Sequence, residues 1–235
     1  MKATIHQPDF MPWFGFFNKI NSADKWVVLD HTENNPRESA FWGRRVKILI
    51  NGEPQWISIT LNKPKEKGVI GIPINEMSIN TQNPKLLSKN KKSIHLAYTK
   101  APYYQDYSYL IDNYFDSKEP LLLKRNMEFI MEVMEILNIN TKIEYSSEMN
   151  LDSYSTQLLV DIIKYLEADT YICGTGASGY QEDEMFKKNN IELKYNDFQH
   201  PEYTQLRTEK FNPGLSIIDM LFMEGAEFIK ERLKG

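Results

Sequence analysis

At 235 residues and 27.6 kDa the chain is long enough to bury the core of one α/β domain without disulfide or metal staples. A formal charge of −4 argues against nonspecific nucleic-acid affinity. No apolar stretch of spanning length and no leader behind Met1 is legible, so the expectation is a cytoplasmic protein with no membrane insertion. Cys173, the single cysteine, sits inside an apolar run and reads as a small buried hydrophobe.

The first β-prone run, residues 3–5, stops at Gln7-Pro8. Pro12 then stands where a helical turn can begin, Phe14, Phe17 and Ile20 follow at helical spacing, and residues 21–24 end the segment. Residues 26–29 form a continuous apolar run of the kind found in buried parallel strands. Together these make a strand-helix-strand unit. Its right-handed crossover brings His6-Gln7 and Asp30-His31 to one carboxyl edge, where open α/β sheets bind ligands. The plain alternative is that both histidines only hydrogen-bond local loops.

Residues 46–50 and 56–61 flank Asn51-Gly52-Glu53-Pro54, a hairpin signal, with Arg44, Arg45 and Lys47 just before or in the first strand. Residues 63–68 read as an exposed loop before the strand-like 71–75. The region 84–115 predicts two helices joined at Pro102, the second tyrosine-rich, with Lys89-Asn90-Lys91-Lys92 as a solvated helix end. Over 120–138, Leu122, Met127, Ile130, Met131, Met134 and Leu137 recur at three and four, the signature of an amphipathic helix.

The last third repeats the α/β pattern: strand 142–146, helix 155–167, strand 170–173, helix 180–189 and strand 191–195. Between the third and fourth of these lies Gly174-Thr175-Gly176-Ala177-Ser178-Gly179, a glycine string that follows a strand and opens a helix. Glycines there let backbone amides approach an anion at a helix N-terminus, with Ser178 and Tyr180 as added donors. No ribose-binding acid follows at the expected distance, which disfavours NAD, and an ordinary strand-to-helix turn is the bland reading. With histidines only at 6, 31, 95 and 200 no metal-ligand spacing occurs, so no metal is assigned. His95 with Lys100 and Tyr103 is a polar set equally suited to packing. Ser216 with Asp219 reads as an N-terminal capping box, and no Gly-x-Ser-x-Gly elbow supports a hydrolase built on Ser178 and His200. The predicted architecture is a single Rossmann-like α/β domain over 1–235, with a mainly parallel sheet, an inserted antiparallel hairpin and a helical middle segment.

The opening Ile5-x-Gln7-Pro8-Asp9-Phe10-x-Pro12-Trp13-x-Gly15-Phe16-Phe17 resembles that of the WbqC-like proteins of bacterial surface-polysaccharide (O-antigen, lipopolysaccharide) clusters. Further motifs in the same order are Ala97-Tyr98-x-Lys100-Ala101-Pro102-Tyr103-Tyr104, Gly174-x-Gly176-x-Ser178-Gly179-Tyr180, His200-Pro201-x-Tyr203-x-Gln205 and Leu215-Ser216-Ile217-Ile218-Asp219-Met220-Leu221-Phe222. The resemblance covers almost the whole chain. It departs at Leu29-Asp30-His31-Thr32-Glu33, where the family carries Asp-Asp-Val-Gln-Phe, and at Tyr180-Gln181, where it carries Tyr-Leu.

What the resemblance implies is a cytoplasmic transferase or ligase that attaches an acyl or aminoacyl group to the amine of a nucleotide-linked amino sugar. His6, Asp30 and His200 are the expected catalytic residues. Gln7, Arg44, Lys47, His95, Lys100, Tyr103, Gly174, Gly176, Ser178, Gly179, Tyr180, Tyr203 and Gln205 are the expected substrate contacts. The first unit is also analogous in fold to adenylate-forming ligases, yet their His-x-Gly-His signature is replaced by Pro12-Trp13-Phe14-Gly15-Phe16. Were ATP the cofactor, His6 and Lys100 would have to stabilise its phosphates. With an activated acyl or aminoacyl donor instead, His6 or His200 would serve as base. The sequence leaves the cofactor open. Nucleic acid is not expected as a specific target, though an aminoacyl-tRNA or carrier donor stays open. The alternative is a non-catalytic protein that binds a nucleotide sugar as a scaffold.

Overall fold

The computed structural model describes residues 1–64, 69–82, 84–174, 176 and 181–234. In chain order its elements are β1 (Lys2–His6), α1 (Phe14–Asn21), β2 (Lys25–Val28), β3 (Glu33–Asn34), β4 (Arg45–Ile50), β5 (Glu53–Ser58), β6 (Ile72–Pro73), α2 (Pro84–Tyr98), α3 (Tyr104–Tyr107), α4 (Tyr109–Asp116), α5 (Leu122–Ile136), β7 (Lys142–Tyr145), α6 (Ser155–Tyr165), β8 (Thr170–Cys173), α7 (Asp183–Lys188), β9 (Glu192–Tyr195) and α8 (Ile217–Leu233). They fall into two units. Residues 1–7, 15–31 and 139–199 make the first, and residues 8–14, 32–138 and 200–235 the second.

The first unit is an α/β sheet of strand order β7-β2-β1-β8-β9, parallel throughout, as the Rossmann-like expectation requires. Its apolar core joins Ala3, Ile5 and Val27 to Leu158, Ile162, Ile163, Tyr171 and Phe186. The register aligns the strand ends, with His6 opposite Val28 and Val28 opposite Tyr145. The chain leaving β1 runs through α1 to β2 on one side, and the chain leaving β8 runs through α7 to β9 on the other. The connections therefore diverge at the β1–β8 pair. In open α/β sheets that reversal opens a crevice at the carboxyl ends, where ligands bind. Cys173 ends β8 buried, its thiol pushed up by burial, as a small hydrophobe should be.

In the second unit, the hairpin differs from its sequence expectation by being tighter. Ile50 pairs with Glu53, so the turn is only Asn51 (φ 54°) and Gly52 (φ 83°), both left-handed, as a type I′ turn demands. A side chain at Gly52 would also strike the Arg207 carbonyl. Pro54 lies inside β5 opposite Leu49. Leu49 donates its N–H outward to the Tyr98 hydroxyl, so this is a non-hydrogen-bonded pair and the N–H that Pro54 lacks would face away from β4.

Residues 8–14 are held in this unit by Asn126, which donates to the Pro8 and Gly43 carbonyls, and by Ser216 and Ile217, which donate to the Met11 and Pro12 carbonyls. That tether is why the helix begins at Phe14 and not at Pro12. Residues 71–75 yield only the two-residue β6, antiparallel to β3. The tyrosine-rich helix is divided at Ser108 into α3 and α4. The lysine run lies within α2, where Lys91 pairs with Asp112 and Asp116 at 2.8 and 2.7 Å. The apolar run that begins at Leu215 continues to Leu233 through a break at Gly225 (φ 76°), where the Tyr103 ring leaves no room for a side chain. No helix among the described residues is long and apolar enough to cross a membrane.

Candidate functional site

The carboxyl edge of the parallel sheet gathers His6, Gln7, Asp30, Gly174 and Gly176 of the expected site residues. His6 ends β1, and its Nδ1 lies 2.8 Å from the Gln7 carbonyl. A carbonyl only accepts, so Nδ1 carries the hydrogen and Nε2 the lone pair. Burial first, and then the Lys19 ammonium, push the imidazole pKa down to about 3, although the residue as a whole is only half-buried. His6 is therefore neutral at physiological pH. Its ring also meets Phe16 edge-on at 5.0 Å.

Lys19 was not anticipated from the sequence. It is 5% exposed, on α1, and donates to the Ile5 carbonyl at 3.3 Å. A buried ammonium is costly unless partnered, and the Ile5 carbonyl is one of the partners of Lys19. The legible signal was its place three residues after Phe16 and one before Ile20, on the face α1 buries.

Asp30 follows β2 and is a knot. It accepts from the Ser146 hydroxyl at 3.0 Å, the Ser147 N–H at 2.9 Å and the Ser147 hydroxyl at 2.7 Å. Ser146 Oγ in turn accepts from the Asp30 N–H at 3.2 Å and lies 2.6 Å from His31 Nδ1. Because that hydroxyl spends its hydrogen on Asp30, His31 Nδ1 is the donor. The arrangement ties β2 to the end of β7. Gly174 and Gly176 follow β8, and a Cβ built on either meets no atom of the described residues within 4 Å. Ser178, Gly179 and Tyr180 lie outside the described residues. Gln181, buried, donates to Asp183 at 3.3 Å.

The remaining expected residues belong to the second unit. His200 is stacked between Trp13 (6.0 Å, 25°) and Tyr203 (6.3 Å, 27°), with Phe211 edge-on at 5.3 Å. Its Nδ1 lies 3.1 Å from the Pro201 carbonyl, and burial lowers its pKa. Beneath this stack Tyr203 donates to Asp219 Oδ1 at 2.7 Å, while Tyr98 donates to Oδ2 at 2.6 Å and accepts from the Leu49 N–H. Asp219 is fully buried, and its pKa rises to about 6 because burial outweighs the tyrosine hydrogen bonds. The capping-box expectation is thus half corrected. Ser216 does cap α8, accepting from the Ile218 N–H, but the Asp219 carboxyl turns to the two tyrosines.

Gln205 clips the backbone of Asn212 through both ends of its amide, at 3.0 and 2.8 Å. Arg44 donates from Nη1 to the Ile59 carbonyl and from Nη2 to the Arg37 carbonyl, each at 3.3 Å, while its buried Nε has no partner among the described residues. His95 joins the Tyr104 hydroxyl (2.6 Å) and Asp112 (3.1 Å) in a separate cluster, Lys100 is exposed, and Tyr103 covers Gly225. Lys47 lies over the Trp56 ring.

The family model of the WbqC-like protein family matches residues 7–231. The chain belongs to the WbqC-like protein family. Within it, this WbqC-like chain is 25% identical over 228 residues to the uncharacterized protein Rv1507c of Mycobacterium tuberculosis, covering 96% of this chain and 95% of that one. No solved structure matches this WbqC-like chain.

Proposed function

We propose that this protein transfers an acyl or aminoacyl group to the amine of a nucleotide-linked amino sugar, holding a phosphate or carboxylate of its substrates at the β1–β8 crevice. The observation that carries the reading is the buried Lys19 ammonium beside neutral His6, at the edge where the strand connections diverge. Burial strengthens the pull of the Lys19 charge on an anion brought to this edge, and a Cβ on Gly174 or Gly176 meets no atom of the described residues within 4 Å. In the transfer the amine nitrogen bonds to the acyl carbon, the thiolate, alkoxide or phosphate of the activated donor leaves, and the amine loses a proton. In this reading His6 Nε2 accepts that proton, and an anion docked next to it raises its basicity by offsetting Lys19. The setting in surface-polysaccharide biosynthesis rests on the family resemblance.

One observation favours the second reading, a non-catalytic nucleotide-sugar binder. An imidazole whose pKa is near 3 is a weak base at neutral pH. The two are separated by incubating the protein with amino-sugar nucleotides and ATP plus carboxylate, acyl thioester or aminoacyl-tRNA donors, and following product mass. Mass gain on the sugar that is lost in His6→Ala supports transfer. Thermal stabilisation by the sugar nucleotide without product from any donor supports the binder.

A further inference from the structure

Two of the chain's four tryptophans are exposed, and they are neighbours. Trp42, just before β4, is 49% exposed and Trp56, on β5, is 40% exposed, with ring centroids 5.4 Å apart at 54°. Strand alternation puts Arg45, Lys47 and Trp56 on one face of the hairpin while Val46, Ile48 and Ile57 point into the core. The Arg45 guanidinium stacks on Trp56 at 3.5 Å and the Lys47 ammonium lies 5.1 Å from the same ring. Arg45 Nη1 donates to the Ser39 carbonyl. Neither Arg45 Nη2 nor Lys47 Nζ has an acceptor or counter-ion among the described residues.

Exposed indole faces are unfavourable in water, and clustered ones mark binding surfaces. The geometry points to a nucleoside-diphosphate site on this hairpin face, with the base on the Trp42–Trp56 rings and the diphosphate on Arg45 and Lys47. The two halves of the surface select this ligand together. A neutral sugar would use the rings and leave the cations unmatched, and an inorganic anion would do the reverse. A nucleotide carries a planar face and adjacent negative charges within one short molecule, and arginine stacked on an aromatic ring still directs its N–H edge at phosphate. Arg44, an expected substrate contact, directs Nη1 and Nη2 at backbone carbonyls, whereas Arg45 Nη2 is unmatched among the described residues. The site stands independently of the proposed transfer, and its test involves no turnover.

The test is fluorine NMR on protein labelled with 5-fluorotryptophan, each of the four resonances assigned by one Trp→Phe substitution, titrated with uridine and adenosine diphosphates, the nucleosides, pyrophosphate and a short single-stranded RNA. The diphosphates should shift the Trp42 and Trp56 signals saturably. Trp42→Ala, or Arg45→Ala with Lys47→Ala, should weaken that binding about tenfold while circular dichroism is unchanged. Nucleosides should feel only the tryptophan change and pyrophosphate only the cation change. Unmoved Trp42 and Trp56 signals, equal affinity in the variants, or tighter binding of RNA than of either diphosphate would each overturn the assignment, whether or not the protein transfers an acyl group.

Discussion

The Lys19 ammonium on α1 adds to burial in holding the His6 imidazole neutral at the end of β1, so the two side chains are electrostatically linked. Lys19→Met removes the charge at similar volume. The His6 pKa should then rise toward its ordinary 6.5, though burial keeps it below that value. Pyrophosphate affinity measured by calorimetry should fall roughly tenfold, the loss of one charge-assisted contact of about 1.5–3 kcal/mol partly replaced by solvent. A His6 imidazole signal that titrates as in wild type would separate the pair.

Two buried groups give stability opposite dependences on pH. The folded His6 pKa of about 3 lies below its ordinary 6.5, so the unfolded chain binds the extra proton and stability falls as pH drops from 6.5 toward 3. The folded Asp219 pKa of about 6 lies above its ordinary 3.8, so the folded state binds the extra proton and stability is gained as pH drops from 6 toward 3.8. Between pH 7 and 4, acidification should therefore raise the melting temperature of His6→Gln relative to wild type and lower that of Asp219→Asn relative to wild type. The same direction of change in both variants would contradict one of the two assignments.

Much of the first unit was legible because its strands are apolar runs bounded by polar stops, and parallel strands need no pairing information beyond order. His6 and Asp30 reached the predicted edge for that reason. Lys19 was hidden inside an apolar helix face, and Asp219 was hidden by a local rule. Ser216-x-x-Asp219 satisfies the spacing of a capping box, yet Tyr98 and Tyr203, distant in sequence, outbid the backbone for the carboxyl group. The turn at Asn51-Gly52 was visible as a dipeptide but its length was not, since Pro54 looked like loop and proves tolerable on the side of β5 away from β4. The tyrosine-rich segment lacked a 3.6-residue stripe, and its division at Ser108 left no periodic mark.

Removing Asp30 should cost fold stability before it costs chemistry. Asp30→Ala strands the hydroxyls of Ser146 and Ser147 and the Ser147 N–H, and loosens His31 through Ser146. Urea unfolding should show a loss of about 2–4 kcal/mol, two or three buried hydrogen-bonding groups at about 1 kcal/mol or more each. Tyr98→Phe makes a parallel case in the second unit, leaving the Leu49 N–H and Asp219 Oδ2 unmatched at a cost of about 1–3 kcal/mol. Stabilities within about 0.5 kcal/mol of wild type would remove Asp30 and Tyr98 from the list of structural knots.

Gly176 offers the cleanest separation of binding from folding. A Cβ at this position meets no atom of the described residues within 4 Å, and its backbone is not in the left-handed region, so Gly176→Val should unfold at the wild-type temperature. The β-branched side chain would instead stand where an anion must approach the backbone amides that follow β8. Pyrophosphate and sugar-nucleotide affinities should fall tenfold or more, the order expected when a charge-assisted backbone contact of about 1.5–3 kcal/mol is blocked. Gly174→Ala, equally open in the structure, should show the same pattern more mildly because its methyl group is smaller. Both variants are read by calorimetry against inorganic pyrophosphate, with melting temperature as the control. Wild-type affinity in Gly176→Val would make the loop an ordinary strand-to-helix turn and leave Lys19 and His6 to hold any anion at this edge alone.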